Sequence, residues 1–101
     1  NLCLIVDYNG IQVEGDVNKL IGLEPLKDKF ISFGWNTINC NGNDIIELLS
    51  SFQNAKRSTN KPTVIIAKTL VGKGVSFLEG QLSHNLFFPK DVANKALKAL
   101  I

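Results

Sequence analysis

Two short apolar runs constrain the fold of this chain more than any other feature of its sequence. Residues 2–6 and residues 64–67 contain no polar side chain apart from a cysteine. A strand with one face in water alternates apolar and polar residues, whereas a strand buried on both faces is apolar throughout, as in a parallel sheet. Both runs are too short to span a bilayer. They therefore predict two strands of a parallel sheet.

Helical patterns and a third strand separate these two runs. Pro25 suits the first turn of a helix with Leu26, Phe30 and Phe33 on one face, and Gly34 is placed to end it. Residues 35–40 alternate in the manner of a short strand, and Asn-Gly follows as a turn.

A second helix is predicted after Asp44, which with Glu47 resembles a capping box. Its apolar stripe comprises Ile45, Leu48, Leu49, Phe52 and Ala55. Pro89 opens a last helix, whose predicted inward face comprises Val92, Ala93, Ala96, Leu97 and Leu100. Strands alternating with helices predict an α/β fold, a mostly parallel sheet flanked by helices.

Composition excludes several classes of function. The net charge is +2 and the lysines are scattered, so we expect neither nucleic acid nor a membrane surface as a partner. Two cysteines are too few for a disulfide framework, and Cys3, inside an apolar run, is predicted to be buried. A reducing, cytoplasmic setting is expected. The 101 residues contain no methionine and open on a strand, so we expect a piece of a longer protein.

The first candidate site is the turn that begins at Asp7 and contains Asn9 and Gly10. It follows a buried strand at its carboxyl end, where open α/β sheets bind ligands. An Asn side-chain oxygen followed by exposed backbone carbonyls suits Mg²⁺, which takes oxygen ligands. Because Asn-Gly is also a strong turn signal, a turn without a ligand is the alternative.

Two further candidates lie near the end of the chain. Gly72-Lys73-Gly74 resembles a phosphate-cradling loop, but it matches neither the P-loop nor the dinucleotide pattern, so a flexible connector is the alternative. His84 is the only histidine and follows polar residues. It is a candidate general acid/base or phosphate contact, or else a surface histidine.

Taken together, these motifs resemble those of transketolases. Residues 4–15, which read LIVDYNGIQVEG, resemble the segment that closes the thiamine-diphosphate motif of that family, a motif that begins with Gly-Asp-Gly and ends in Asn. The likeness continues through residues 23–26, 33–35, 62–69 and 72–77 and reaches Ser83-His84.

The resemblance implies a set of cofactor-binding residues. Asn9 would bind Mg²⁺ through its side chain, Ile11 would bind it through its backbone carbonyl, and Val13 would line the thiamine pocket. His84 would approach the diphosphate and the sugar donor as a catalytic and cofactor-binding residue. The implied reaction transfers a two-carbon ketol unit from a ketose phosphate to an aldose phosphate, with thiamine diphosphate and Mg²⁺ as cofactors.

The resemblance also implies what the chain lacks. The Gly-Asp-Gly half is absent, so residues 1–101 correspond to the second half of a thiamine-diphosphate-binding domain of the PP type, which we expect to be inactive alone. The glutamate that activates the cofactor belongs to a pyrimidine-binding domain, so we expect that domain or a companion subunit as partner, in a homodimer or heterotetramer. Val71, Asn85 and residues 86–88 depart from the family pattern.

Two alternatives remain open. One is a sibling thiamine enzyme such as deoxyxylulose-phosphate synthase. The other is a non-catalytic module that only pairs with a companion chain.

Overall fold

The computed structural model describes residues 1–83 and 87–100. In chain order its elements are β1 (Cys3–Tyr8), β2 (Ile11–Gln12), β3 (Gly15–Asp16), α1 (Val17–Leu20), α2 (Leu26–Ser32), β4 (Asn36–Asn41), α3 (Ile45–Arg57), β5 (Thr63–Lys68) and α4 (Lys90–Ala99). No helix within the described ranges is long and apolar enough to cross a membrane.

A three-stranded parallel sheet organises the chain. Strand β5 lies in the centre, with β1 on one side and β4 on the other. The three strands end in register, so that Tyr8, Lys68 and Asn41 stand side by side at the carboxyl edge. The predicted α/β fold with a mostly parallel sheet is confirmed. The small antiparallel hairpin of β2 and β3 was not predicted, because strands of two residues are too short to show a period.

The core is built around the central strand. Residues 63–67 of β5 are all buried, and for residues 64–67 the apolar run predicts this, because it indicates a strand covered on both faces. Helix α3 packs on β4 and β5 and covers these two strands on one face. The buried cluster there comprises Cys40, Ile65 and Ala67, against which Ile38, Leu48 and Ala55 pack.

The predicted burial of β1 is wrong. Leu4 is 38% exposed, Ile5 is 50% exposed, and the Cys3 thiol is exposed. The reason is position, because β1 is an edge strand and α3 packs on the two other strands. An apolar run shows that a strand can be buried on both faces. It does not show that other elements cover those faces, and much of the apolar surface of β1 is exposed to solvent.

Parts of the predicted helical faces are also wrong. Ile45 and Leu49 of α3 point away from the core, which α3 meets through Leu48 and Ala55. In α4, Leu97 is exposed, as is Leu100 just after the helix, and α4 has no buried residue. Phe33, at the end of α2, is exposed as well. In each case periodicity identified the helix correctly but overestimated the width of the stripe that is covered.

The helix ends follow their sequence signals. Gly34 adopts a left-handed φ of 83° just after Phe33, the residue that follows α2. The Asp44 carboxylate caps α3 by accepting from the N–H of Ile46 at 2.8 Å and of Glu47 at 3.2 Å. The Glu47 carboxylate reaches back to the Asn41 N–H at 2.7 Å, so it holds the end of β4 rather than the cap residue.

We expect the core to depend on Ile65, which is fully buried in the cluster described above. Ile65→Ala should lower the free energy of unfolding by about 2–5 kcal/mol, because it removes buried methyl groups and leaves a cavity. The control is Ile46→Ala at a side chain that is 79% exposed, where the change should stay within about 0.5 kcal/mol. Urea denaturation measures both, and equal losses would contradict the assignment of the core.

Candidate functional site

The turn after β1 has a defined geometry. The Asn9 side-chain oxygen accepts from the Ile11 N–H at 2.9 Å, which folds the segment into an Asx turn. Gly10 sits between them at a left-handed φ of 73°, a conformation that favours glycine. The Gly10 carbonyl accepts from the Val17 N–H at 3.0 Å and so fixes the hairpin that follows.

The hairpin decides which way the Ile11 carbonyl points. The Val17 N–H donates to the Gly10 carbonyl, so this ladder bond lies one residue before the pair Ile11 and Asp16, which is a non-hydrogen-bonded one. The backbone groups of Ile11 therefore point away from β3, and its N–H indeed meets the Asn9 side chain. Within a strand, the N–H and C=O of one residue point to the same side. The Ile11 carbonyl and the Asn9 oxygen thus lie on one side of the hairpin.

Three of the four predicted site residues line one pocket of about 400 Å³. Asn9, Ile11 and Val13 form one wall. The other wall comes from the segment after β5 and includes Val71, Gln81 and Ser83. The fourth predicted residue, His84, lies outside the described residues and directly follows Ser83 in the sequence.

The donor set of this pocket fits part of a magnesium shell. A carboxamide oxygen and a backbone carbonyl are oxygen ligands of the kind that Mg²⁺ takes. Both are neutral, and within the described ranges no group of three or more His, Cys, Asp or Glu residues is placed to hold a metal ion. These two oxygens can therefore complete a shell but bring no charge of their own.

A hydrogen bond across the sheet edge joins the two chain segments that lead into the pocket, the end of β1 and the start of the segment after β5. The Thr69 hydroxyl donates to the Asp7 carboxylate, and the Thr69 N–H donates to the Tyr8 carbonyl at 3.3 Å. Thr69 opens the segment after β5, while Asp7 lies two residues before Asn9. The contact spans 62 residues of sequence, which is why no local pattern revealed it.

A second contact holds the loop between α1 and α2. The Tyr8 hydroxyl donates to the Glu24 carboxylate at 2.8 Å, and the Leu26 N–H donates to its other oxygen at 3.0 Å. The hydrogen bond to Glu24 raises the pKa of Tyr8. The Leu26 N–H, and then the Tyr8 hydroxyl, lower the pKa of Glu24. Glu24 was not among the site residues predicted from the sequence.

The Gly-Lys-Gly loop holds a carboxylate of the chain itself. A Cβ on Gly72 would lie 2.6 Å from the Leu78 carbonyl oxygen, so this close approach needs glycine. The Gly74 N–H donates to Glu79 at 3.1 Å, and the Lys73 ammonium lies 3.5 Å from the same oxygen. The Gly74 N–H, followed by Lys73, lowers the pKa of the Glu79 carboxyl. The loop is thus a structured anion-binding turn whose anion is Glu79.

Comparison with known proteins settles the family. The family described as "Transketolase, thiamine diphosphate binding domain" matches residues 1–92. The chain belongs to the transketolase family. The solved transketolase of Campylobacter jejuni superposes on it with a TM-score of 0.87 at 40% identity, over 98% of this chain and 16% of that one.

Related transketolase subunits are much longer than this chain. The 6-deoxy-6-sulfo-D-fructose transketolase subunit SqwG of Clostridium sp. strain MSTE9 is 38% identical, over 99% of this chain and 37% of its own length. An apulose-4-phosphate transketolase subunit of Phocaeicola vulgatus is 34% identical, over 79% of this chain and 28% of its own length. The chain therefore spans about a third of these transketolase subunits.

We expect the order of the Gly-Lys-Gly loop to depend on pH. Because the pKa of Glu79 is lowered in the folded chain, its contribution is complete above the ordinary glutamate value of about 4.3 and is lost as the pH falls through the lowered one. The Gly74 amide resonance should therefore move on acidification with a midpoint below that value. Glu79→Gln should abolish the step, whereas Glu14→Gln, at an exposed position, should not. A midpoint at the ordinary value would contradict the contact.

Proposed function

We propose that this chain contributes the metal-holding turn of a transketolase, an enzyme that moves a two-carbon ketol unit from a ketose phosphate to an aldose phosphate. The supporting observation is that Asn9, Ile11 and Val13 line one pocket with the segment that leads to His84. When bound, thiamine diphosphate supplies the nucleophile and the electron sink. This chain's own residues hold and orient it.

Each residue of the pocket has a distinct proposed role. The Asn9 oxygen, with one acceptor position used by Ile11 N–H, offers its other lone pair to Mg²⁺. The Ile11 carbonyl adds a second oxygen from the same side of the hairpin. Val13 is 52% exposed, so it is free to pack against the thiamine. The role of His84 near the diphosphate and the sugar rests on the resemblance, and the kinetics of His84→Ala would test it.

The two proposed metal ligands are neutral, which favours a companion polypeptide that supplies the charged ones. Mg²⁺ dehydrates reluctantly and is commonly held by one or two carboxylates together with phosphates. Asn9 and Ile11 provide neither a carboxylate nor a phosphate. We therefore propose that the residues completing the magnesium shell lie outside these 101 residues. We also propose that the isolated chain, as the second half of the binding domain, is not catalytically competent. Relatives at 34–38% identity are named as transketolase subunits. We propose a pyrimidine-binding domain as the partner, within a homodimer or heterotetramer.

The names of these relatives favour a transketolase over a deoxyxylulose-phosphate synthase. One relative is named for a sulfonated sugar and the other for a sugar phosphate, so anionic sugars are the proposed substrate class. A non-catalytic pairing module remains the second candidate, because the chain exposes Leu4 and Ile5 on its edge strand. The exposed Cys3 thiol fits the proposed cytoplasmic setting, where thiols stay reduced.

Manganese can locate the metal turn in the chain itself. Mn²⁺ accepts the same oxygen ligands as Mg²⁺ and broadens nearby NMR signals even when few molecules are occupied. With thiamine diphosphate present, we expect broadening centred on the Asn9 carboxamide and on the Ile11 and Val13 amides. Asn9→Ala should abolish it, with a loss of stability of about 1 kcal/mol from the missing hydrogen bond to the Ile11 N–H.

The control is Gln12→Ala, which alters the same pocket and leaves both proposed ligands in place. Broadening that persists in Asn9→Ala, or that centres on another part of the chain, would refute the assignment.

A further inference from the structure

A second and larger crevice opens over the carboxyl half of the sheet. It has a volume of about 1080 Å³ and shares no lining residue with the pocket of Asn9 and Ile11. Because the three parallel strands end in register, the side chains of Tyr8, Lys68 and Asn41 form one row across its floor. Ile66 and Asn39, register partners two residues earlier, lie on the same face.

The carboxamides that line this crevice are oriented by backbone donors. The Asn41 side-chain oxygen accepts from the Asn43 N–H at 3.0 Å, and the Asn43 side-chain oxygen accepts from the Leu70 N–H at 2.8 Å. A backbone N–H can face only the oxygen of a carboxamide, so these contacts fix both orientations. Neither amino group donates a hydrogen bond to another of the described residues, so both are left to donate to a ligand.

The charges of the crevice fall into two groups. Its three carboxylates already serve as acceptors, Glu24 for Tyr8 and Leu26, Asp44 for the start of α3, and Glu47 for the Asn41 N–H. Its ammonium groups are those of Lys27, Lys68 and Lys73. Within the described ranges, Lys73 with Glu79 is the only ion pair, so Lys27 and Lys68 are available.

We propose that this crevice binds a phosphate monoester or a similar oxyanion on the Lys68 ammonium and on the amino groups of Asn41 and Asn43. These groups donate and do not accept, which is the pattern that recognises a phosphate oxygen. Lys27 lines the same crevice, and Ile66 with Leu26 supplies an apolar surface for the body of the ester. Because the crevice shares no lining residue with the pocket of Asn9 and Ile11, anion binding here can be tested independently of the proposed cofactor site.

Side-chain amide NMR tests the proposal at constant ionic strength, with inorganic phosphate, glycerol 3-phosphate and glycerol as probes. Both phosphates should shift the Asn41 and Asn43 amino resonances saturably, with a dissociation constant of about 1 mM or tighter, and glycerol should not. Lys68→Gln should weaken binding at least about 10-fold. Its control is Lys56→Gln, an exposed lysine of α3 outside the crevice, which should leave binding unchanged.

Asn43→Asp is a second variant of matched shape. It keeps the oxygen that accepts from Leu70 N–H but replaces the donating amino group by an acceptor, so it should abolish binding while the amide dispersion stays native. The proposal is overturned if the shifts do not saturate, if glycerol causes the same shifts, or if Lys68→Gln and Lys56→Gln weaken binding equally.

Discussion

Parallel pairing of β1 and β4 on the buried strand β5 is the constraint on which every site in this chain depends. Because the backbone hydrogen bonds of a parallel ladder fix the register, all three strands end at one level. The Asn9 turn, the Asn41–Asp44 turn and the segment from Thr69 therefore leave the sheet at the same edge. The contact of Thr69 with Asp7 then ties two of these segments together.

The two pockets divide this edge between them. Beside β1, neutral oxygens of Asn9 and Ile11 face the segment that follows β5, an arrangement suited to a hard cation. Over the row of Tyr8, Lys68 and Asn41, the groups left to interact are mainly donors. The same sheet edge thus offers acceptors in one pocket and donors in the other. The Gly-Lys-Gly loop serves neither pocket as an open phosphate cradle, since Glu79 occupies its donors.

Much of this architecture can be predicted from short segments of the sequence. The apolar run of β5, the Asn-Gly turn after β1 and the Asp44 cap each determine backbone structure over a few residues, and the structure agrees with all three. The family likewise followed from motifs spread along the chain, and the match over residues 1–92 confirms it.

The sequence did not predict the place of each strand in the sheet or the contacts between residues far apart along the chain. The runs of β1 and β5 look alike, but β1 lies at the edge and exposes Leu4 and Ile5. The contacts of Tyr8 with Glu24 and of Asp7 with Thr69 join residues 16 and 62 positions apart, where no periodicity connects them. The orientation of the Asn43 carboxamide depends on the Leu70 N–H, which only the folded loop brings near.

We propose that the turn of Asn9 and Ile11 supplies two neutral oxygens to a metal shell whose charge comes from residues elsewhere. Calorimetric titration of thiamine diphosphate with Mg²⁺ tests it most directly, on the chain alone and on its assembly with the companion polypeptide. We expect affinity weaker than about 1 mM for the chain alone and about 1 μM for the assembly. Micromolar affinity for the chain alone, or an assembly indifferent to Asn9→Ala, would contradict the account.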